Sequence, residues 1–193
     1  MNIMDKIEET IDKYGWQLIG VFPDAKSRDP VNEAFIYTIG NADKGLPELL
    51  FIGSYGEIAA CILKALSREM IDRGRPFKDG EFVDIGDDNP VYVCKANDSV
   101  KDDIMVQATN YNGHGYDVMQ VVSPDLDGKF PWELGCAKPY ANVKIHRAAS
   151  SPGGIAAGPD ETSGKPEFDR ILGYRENNGD RCACMVCGTR PGA

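Results

Sequence analysis

Residues 49–74 read LLFIGSYGEIAACILKALSREMIDRG, and this stretch decides the fold. Residues 49–52 are apolar without interruption, and the run is too short for a helix before Gly53 turns the chain. Such a run predicts a short central strand. Ser54 follows, and Glu57 stands three residues later, the spacing of a capping box. Ile58, Ile62, Leu63, Leu66 and Met70 then share one face of a helix that Gly74 closes. The backbone N–H groups at that helix start suit an anion, which makes Ser54 a candidate ligand-binding residue besides a plain cap. The segment is neither a phosphate loop nor a nucleophile elbow, because Gly53 and Ser54 are adjacent.

Working outward, Met4, Ile7, Ile11 and Tyr14 fall at helical spacing and Gly15 stops that helix. Residues 16–22, 34–39, 81–85, 91–94 and 117–122 read as further strands, with a turn-rich linker at 86–90. Residues 99–109 read as a weaker helix with Ser99 as its N-cap. Strands outnumber helices and cluster in consecutive pairs. This predicts an α+β fold, a mostly antiparallel sheet with helices packed on one face. Composition changes near residue 148. Residues 150–165 are rich in Gly, Pro and Ser and bury little apolar surface. The chain is therefore expected to divide into an α+β core at 1–148 and a linker with a small cysteine-containing tail at 149–193.

The 193 residues carry 21 Lys+Arg against 30 Asp+Glu, a formal net charge of −9. That balance disfavours binding to a nucleic-acid backbone, which needs clustered cations. It suits solubility, or a basic partner. No run reaches the roughly 18–20 apolar residues of a membrane span. The N-terminus is acidic and amphipathic, unlike a signal peptide, so the expected location is cytoplasmic. The oligomeric state is left open.

Cys182, Cys184 and Cys187 lie together near the C-terminus. Zinc takes four thiolate or imidazole ligands in a tetrahedron, and this spacing supplies up to three of them. Cys136, His146, His114 or a residue of a second copy of the chain would be the fourth ligand of the expected structural zinc site. Free thiols, or a redox pair at Cys184 and Cys187, are the alternatives. Cys61 and Cys94 sit in apolar segments and read as small core residues.

Residues 116–135, YDVMQVVSPDLDGKFPWELG, place one amide, Gln120, inside an apolar strand. A turn with Asp125 and Asp127 follows, then Trp132 and Glu133. The calcium-loop pattern is incomplete, and Asp127-Gly128 reads instead as a hairpin reversal. Asp125 and Glu133 could form an acid/base pair if the turn joins them. His114 lies between glycines in an exposed loop, and spacing alone yields no nucleophile–histidine constellation.

Three segments carry a resemblance. They are Phe35-Ile36-Tyr37-Thr38-Ile39-Gly40, Pro47-Glu48-Leu49-Leu50-Phe51-Ile52-Gly53, and Gln120 through Pro124-Asp125, Gly128 and Pro131-Trp132. In this order they resemble the bacterial and phage family catalogued as domain of unknown function 4262, over roughly residues 16–135. Ser123 stands where members of that family carry tryptophan. The resemblance implies no reaction, but it directs attention to Tyr37, Thr38, Glu48, Gln120, Asp125 and Trp132. The expected function is a module binding a small ligand or a protein, through a cleft rimmed by these residues. The family's setting and the charge suggest phage–host conflict, as an immunity or anti-defence factor. The rival expectation is a hydrolase or transferase acting on a nucleotide-like or amide substrate. Its acid/base residues would be Glu48, Asp125 or His114.

Overall fold

A computed structural model describes residues 2–53, 56–86 and 90–148. Ser54 and the cysteines at 182, 184 and 187 lie outside them, as does the expected linker at 150–165. Among the described residues, six strands form one sheet: β1 (Gln17–Val21), β2 (Phe35–Ile39), β3 (Glu48–Ile52), β4 (Glu81–Asp84), β5 (Pro90–Lys95) and β6 (Val118–Val122). Four α-helices accompany them: α1 (Ile3–Tyr14), α2 (Gly56–Arg73), α3 (Ser99–Asp103) and α4 (Val106–Asn112). The strand order is β1-β2-β3-β6-β5-β4. Only β3 and β6 pair in parallel; the other neighbours are antiparallel. The fold is α+β.

The apolar run at residues 49–52 is central, as its composition predicts. β3 lies between β2 and β6, and all its residues are buried. Alternation sends Leu49 and Phe51 to one face, with Ile36, Val93, Met119 and Val121. There α2 covers them with Ala59, Leu63, Leu66 and Met70. Each fully buried Leu or Met among them contributes about 1.5–3 kcal/mol relative to exposure. Leu50 and Ile52 point to the opposite face, with Tyr37, Ile39 and Val118.

That second face corrects the expectation of helices on one side. α1 supplies Ile7 and Ile11 to it, and the α3–α4 region adds Val100, Met105 and Ala108. The reason is the central pair itself. Two strands apolar on both faces expose half their side chains to water unless both faces are covered. Farther along the same face, Tyr92, Cys94 and Val122 pack under Phe130 and Trp132.

Local signals explain the helix ends. Asn2 caps α1, accepting from the Met4 N–H at 3.3 Å, while Asp5 accepts from the Asn2 N–H at 2.9 Å. Gly15 closes α1 with φ +82°, and its N–H reaches the Ile11 carbonyl at 2.7 Å. The expected helix at 99–109 is two helices. Met105 is buried at the break, where the Thr109 hydroxyl takes the Lys101 carbonyl at 2.8 Å. Asp98, not Ser99, occupies the N-cap position, and the Ser99 hydroxyl bonds the Asn97 side chain instead. Ile58 is 66% exposed and so leaves the apolar face of α2.

The hairpin expected at Asp127-Gly128 is also corrected. Gly128 does turn the chain, with φ +80° and its N–H on the Asp125 carbonyl at 3.0 Å. No strand follows among the described residues. The chain instead lays Phe130 and Trp132 over β5, because those rings gain more from burial there than a new edge strand would gain in water. It ends in a strap, where Arg147 bridges Ala96 and the Ala148 N–H bonds the Lys95 carbonyl at 2.8 Å.

Candidate functional site

Of the described residues singled out in the sequence, Glu48 and Asp125 lie at opposite ends of the β3–β6 pair, whereas Tyr37 and Gln120 lie level with each other at its middle. Glu48 begins β3 opposite Val118, which begins the parallel strand β6. Asp125 follows the other end of β6. One cleft rimmed by all of them is therefore not formed.

At the first end, Glu48 is the centre of a buried polar knot. Its Oε2 accepts the Thr38 hydroxyl at 2.6 Å. Its Oε1 accepts the Gly40 N–H at 2.8 Å, the Ala42 N–H at 3.1 Å and the Asn112 amide at 3.2 Å. Thr38 Oγ1 in turn accepts from the Leu49 N–H at 2.8 Å and the Asn41 amide at 3.3 Å. Asn41 also reaches Ser67 on α2 at 3.1 Å. The knot joins β2, β3, α2 and α4. Burial raises the Glu48 carboxyl above its ordinary value, against the opposing pull of the bonds from Thr38, Ala42, Gly40 and Asn112. Tyr37 is also buried, with its hydroxyl on the Gln107 side chain, and burial pushes its phenol up.

At the second end, Asp125 organises a loop. Its Oδ2 accepts the Ala137 N–H at 2.7 Å, and its Oδ1 accepts the N–H groups of Lys129 at 2.8 Å and Asp127 at 3.0 Å. The Ala137 and Lys129 N–H groups hold its carboxyl below the usual range. Glu133 accepts the Phe130 N–H at 2.5 Å, so each carboxylate serves its own turn. Trp132 stacks on Phe130, centroids 4.9 Å apart, and meets Tyr92 edge-on at 5.0 Å. Gln120 is fully buried and clamps the strap. Its amide donates to the Lys144 carbonyl at 2.8 Å and its carbonyl accepts the His146 N–H at 2.7 Å. Cys136 directs its thiol to the Lys129 carbonyl at 3.4 Å, and burial lowers the His146 imidazole. Among the described residues, no three His, Cys, Asp or Glu side chains are grouped to hold a metal.

A cavity of about 570 Å³ opens at the end where β3 and β6 begin. It is lined by Lys95, Lys101, His114, Asp79, Asp98 and Asp117 and by the edges of the buried residues Leu46, Phe77, Val118 and Met119. Of the expected site residues that are described, His114 alone lines it. Its Nε2 lies 2.9 Å from Asp102, with both side chains 68% exposed. Lys101 is the unusual wall residue, since its side chain is only 8% exposed. Its ammonium donates to Asp98 at 2.8 Å and to the His114 carbonyl at 3.0 Å, and sits 5.1 Å from the Tyr116 ring centroid. Lys95 pairs with Asp117 at 3.1 Å.

The family model described as Domain of unknown function (DUF4262) matches residues 10–137. The chain belongs to this family. The DUF4262 match spans all six strands and ends at Ala137, whose N–H bonds Asp125. The strap at 143–148 lies beyond the match. No curated protein and no solved structure matches the chain.

The cavity's lysines and aspartates escaped the sequence reading. A usable signal was present in Asp98 and Lys101, three apart on a short helix, with Lys101 beside the apolar Val100. Nothing in their order, however, indicates which side of α3 faces an empty space.

Proposed function

We propose that this DUF4262 protein is a small-ligand-binding module, and that the cavity at the start of β3 and β6 is its binding site. The observation that carries the reading is Lys101, a lysine whose side chain is only 8% exposed, in the lining of a cavity of about 570 Å³. Small-molecule sites typically measure about 300–1,000 Å³ and combine an apolar floor with a few placed polar groups. A buried charge is costly to keep unless it serves stability or recognition.

Thermal shifts of the full chain against nucleotides, amino acids and organic acids test this. A true ligand at about 100 times its Kd adds about 2.7 kcal/mol, or roughly 5–10 °C in Tm. It should also shift the amide resonances of Gly45 and Gly115, and be recovered unchanged. If no compound class moves the cavity resonances, the reading is wrong. Turnover of the ligand would favour the rival hydrolase or transferase. That rival has less support, because Glu48 is sealed from solvent and Asp125 lies at the far end of β6, which leaves His114 as its one acid/base candidate at the cavity.

Two further parts of the proposal rest on the sequence. A structural zinc would sit on Cys182, Cys184 and Cys187, with Cys136 or His146 completing it. Metal analysis of protein purified without chelator should find about one zinc per chain; metal-free protein would remove this part. The setting in phage–host conflict predicts that expressing the protein changes phage plating efficiency, and an unchanged efficiency would count against it.

A further inference from the structure

The cavity's charges are unequal in one respect that bears on ligand class. Lys101 is 8% exposed, whereas its partner Asp98 is 90% exposed. Lys95 and Asp117 are 53% and 69% exposed. A carboxylate so fully solvated holds a lysine weakly, because water competes for both groups. A sheltered ammonium is screened less and gains more from an anion that shares its shelter. The other Lys101 contacts, the His114 carbonyl and the Tyr116 ring, fix the ammonium without neutralising it. Leu46, Phe77, Val118 and Met119 line the same cavity and, being 2–7% exposed, present narrow apolar edges to it.

We propose that the cavity takes a small amphiphilic anion, a carboxylate or phosphate monoester on a short apolar body. Its anionic group displaces Asp98 from Lys101, and its short apolar body lies against the edges of Leu46, Phe77, Val118 and Met119. This rests on the cavity being the binding site and names the ligand class. No covalent step is involved.

The test uses the full-length, ¹⁵N-labelled chain with four matched probes: hexanoate, hexyl phosphate, hexylammonium and hexanol. Amide shifts at Gly45, Gly115 and Val118 report occupancy. One of the two anions should bind at least about tenfold tighter than hexanol and hexylammonium, the size of effect given by one well-placed charge. The better of the two anions identifies the head group. Asp98→Asn should strengthen anion binding several-fold, because it removes the competing carboxylate and keeps a side chain suited to an N-cap, with urea unfolding to verify the fold. Lys101→Met should abolish the preference for anions, and Lys101→Arg should retain most of it. Hexylammonium binding as well as the anions, or Asp98→Asn weakening the anions, would overturn the anion assignment and leave the cavity reading standing. Failure of all four probes to shift the cavity amides would count against both.

Discussion

Glu48→Ala should lower the unfolding free energy by about 4 kcal/mol, which corresponds to a fall of roughly 10 °C in Tm. The substitution strips the acceptor from four donors at once: the Thr38 hydroxyl, the Gly40 and Ala42 N–H groups and the Asn112 amide. Each buried donor left without a partner costs about 1–3 kcal/mol, partly recovered where water enters the space. Urea unfolding of the full chain measures the loss. A loss under about 1 kcal/mol would mean that the knot is not a structural centre.

The same residue sets a pH dependence. Burial, the largest influence, raises the Glu48 carboxyl above its ordinary value, so ionising it costs more in the folded chain than in the unfolded one. Its contribution is therefore fully present below the unfolded value, about 4.3, and declines as pH rises through the raised folded value. The difference in unfolding free energy between wild type and Glu48→Gln should fall with rising pH across that window. A difference that grows instead would show that the four hydrogen bonds outweigh burial.

Gln120→Ala should cost about 3 kcal/mol, combining a small cavity with two unsatisfied backbone groups in the strap. The side chain is fully buried in β6, and both its amide bonds go to the strap, at Lys144 and His146. The loss should be local as well as global. Hydrogen exchange at His146 and Ala148 should accelerate far more than at Leu50, because the strap's other ties are surface contacts, Asn32 at Lys144 and the Lys144–Asp29 and Arg147–Asp79 pairs, and backbone bonds near Ala96. Gln120→Glu tests the geometry separately, since it keeps the acceptor for the His146 N–H and loses the donor to Lys144. Unchanged protection at His146 in both variants would show that the strap is held by other contacts.

Much of the fold was legible because short-range rules decide it. The apolar run at 49–52 could only be a central strand, and Gly15 and Gly74 could only end helices at their positions in the pattern. Gln120 was legible as an anomaly, an amide in an apolar strand, but its partners lie 24 and 26 residues later. Asp125 was visible beside a turn, yet its third N–H partner is Ala137, twelve residues on. Tyr37, Thr38 and Glu48 were read as a rim and are buried. Side-chain type shows that a polar group needs partners, whereas only the packed chain shows whether those partners are protein or solvent.

By itself, the sequence determined the α+β class, the central strand, most element positions and the family, because periodicity, glycine and local capping act within a few residues. Tertiary structure alone decided that helices cover both faces and that the hairpin turn is instead a loop closing over β5. It alone decided that a cavity walled by Lys101, Asp98, Lys95 and Asp117 opens where β3 and β6 begin. These outcomes depend on which faces meet across the sheet, and pairing β3 with a strand 70 residues later lies beyond the reach of any local pattern.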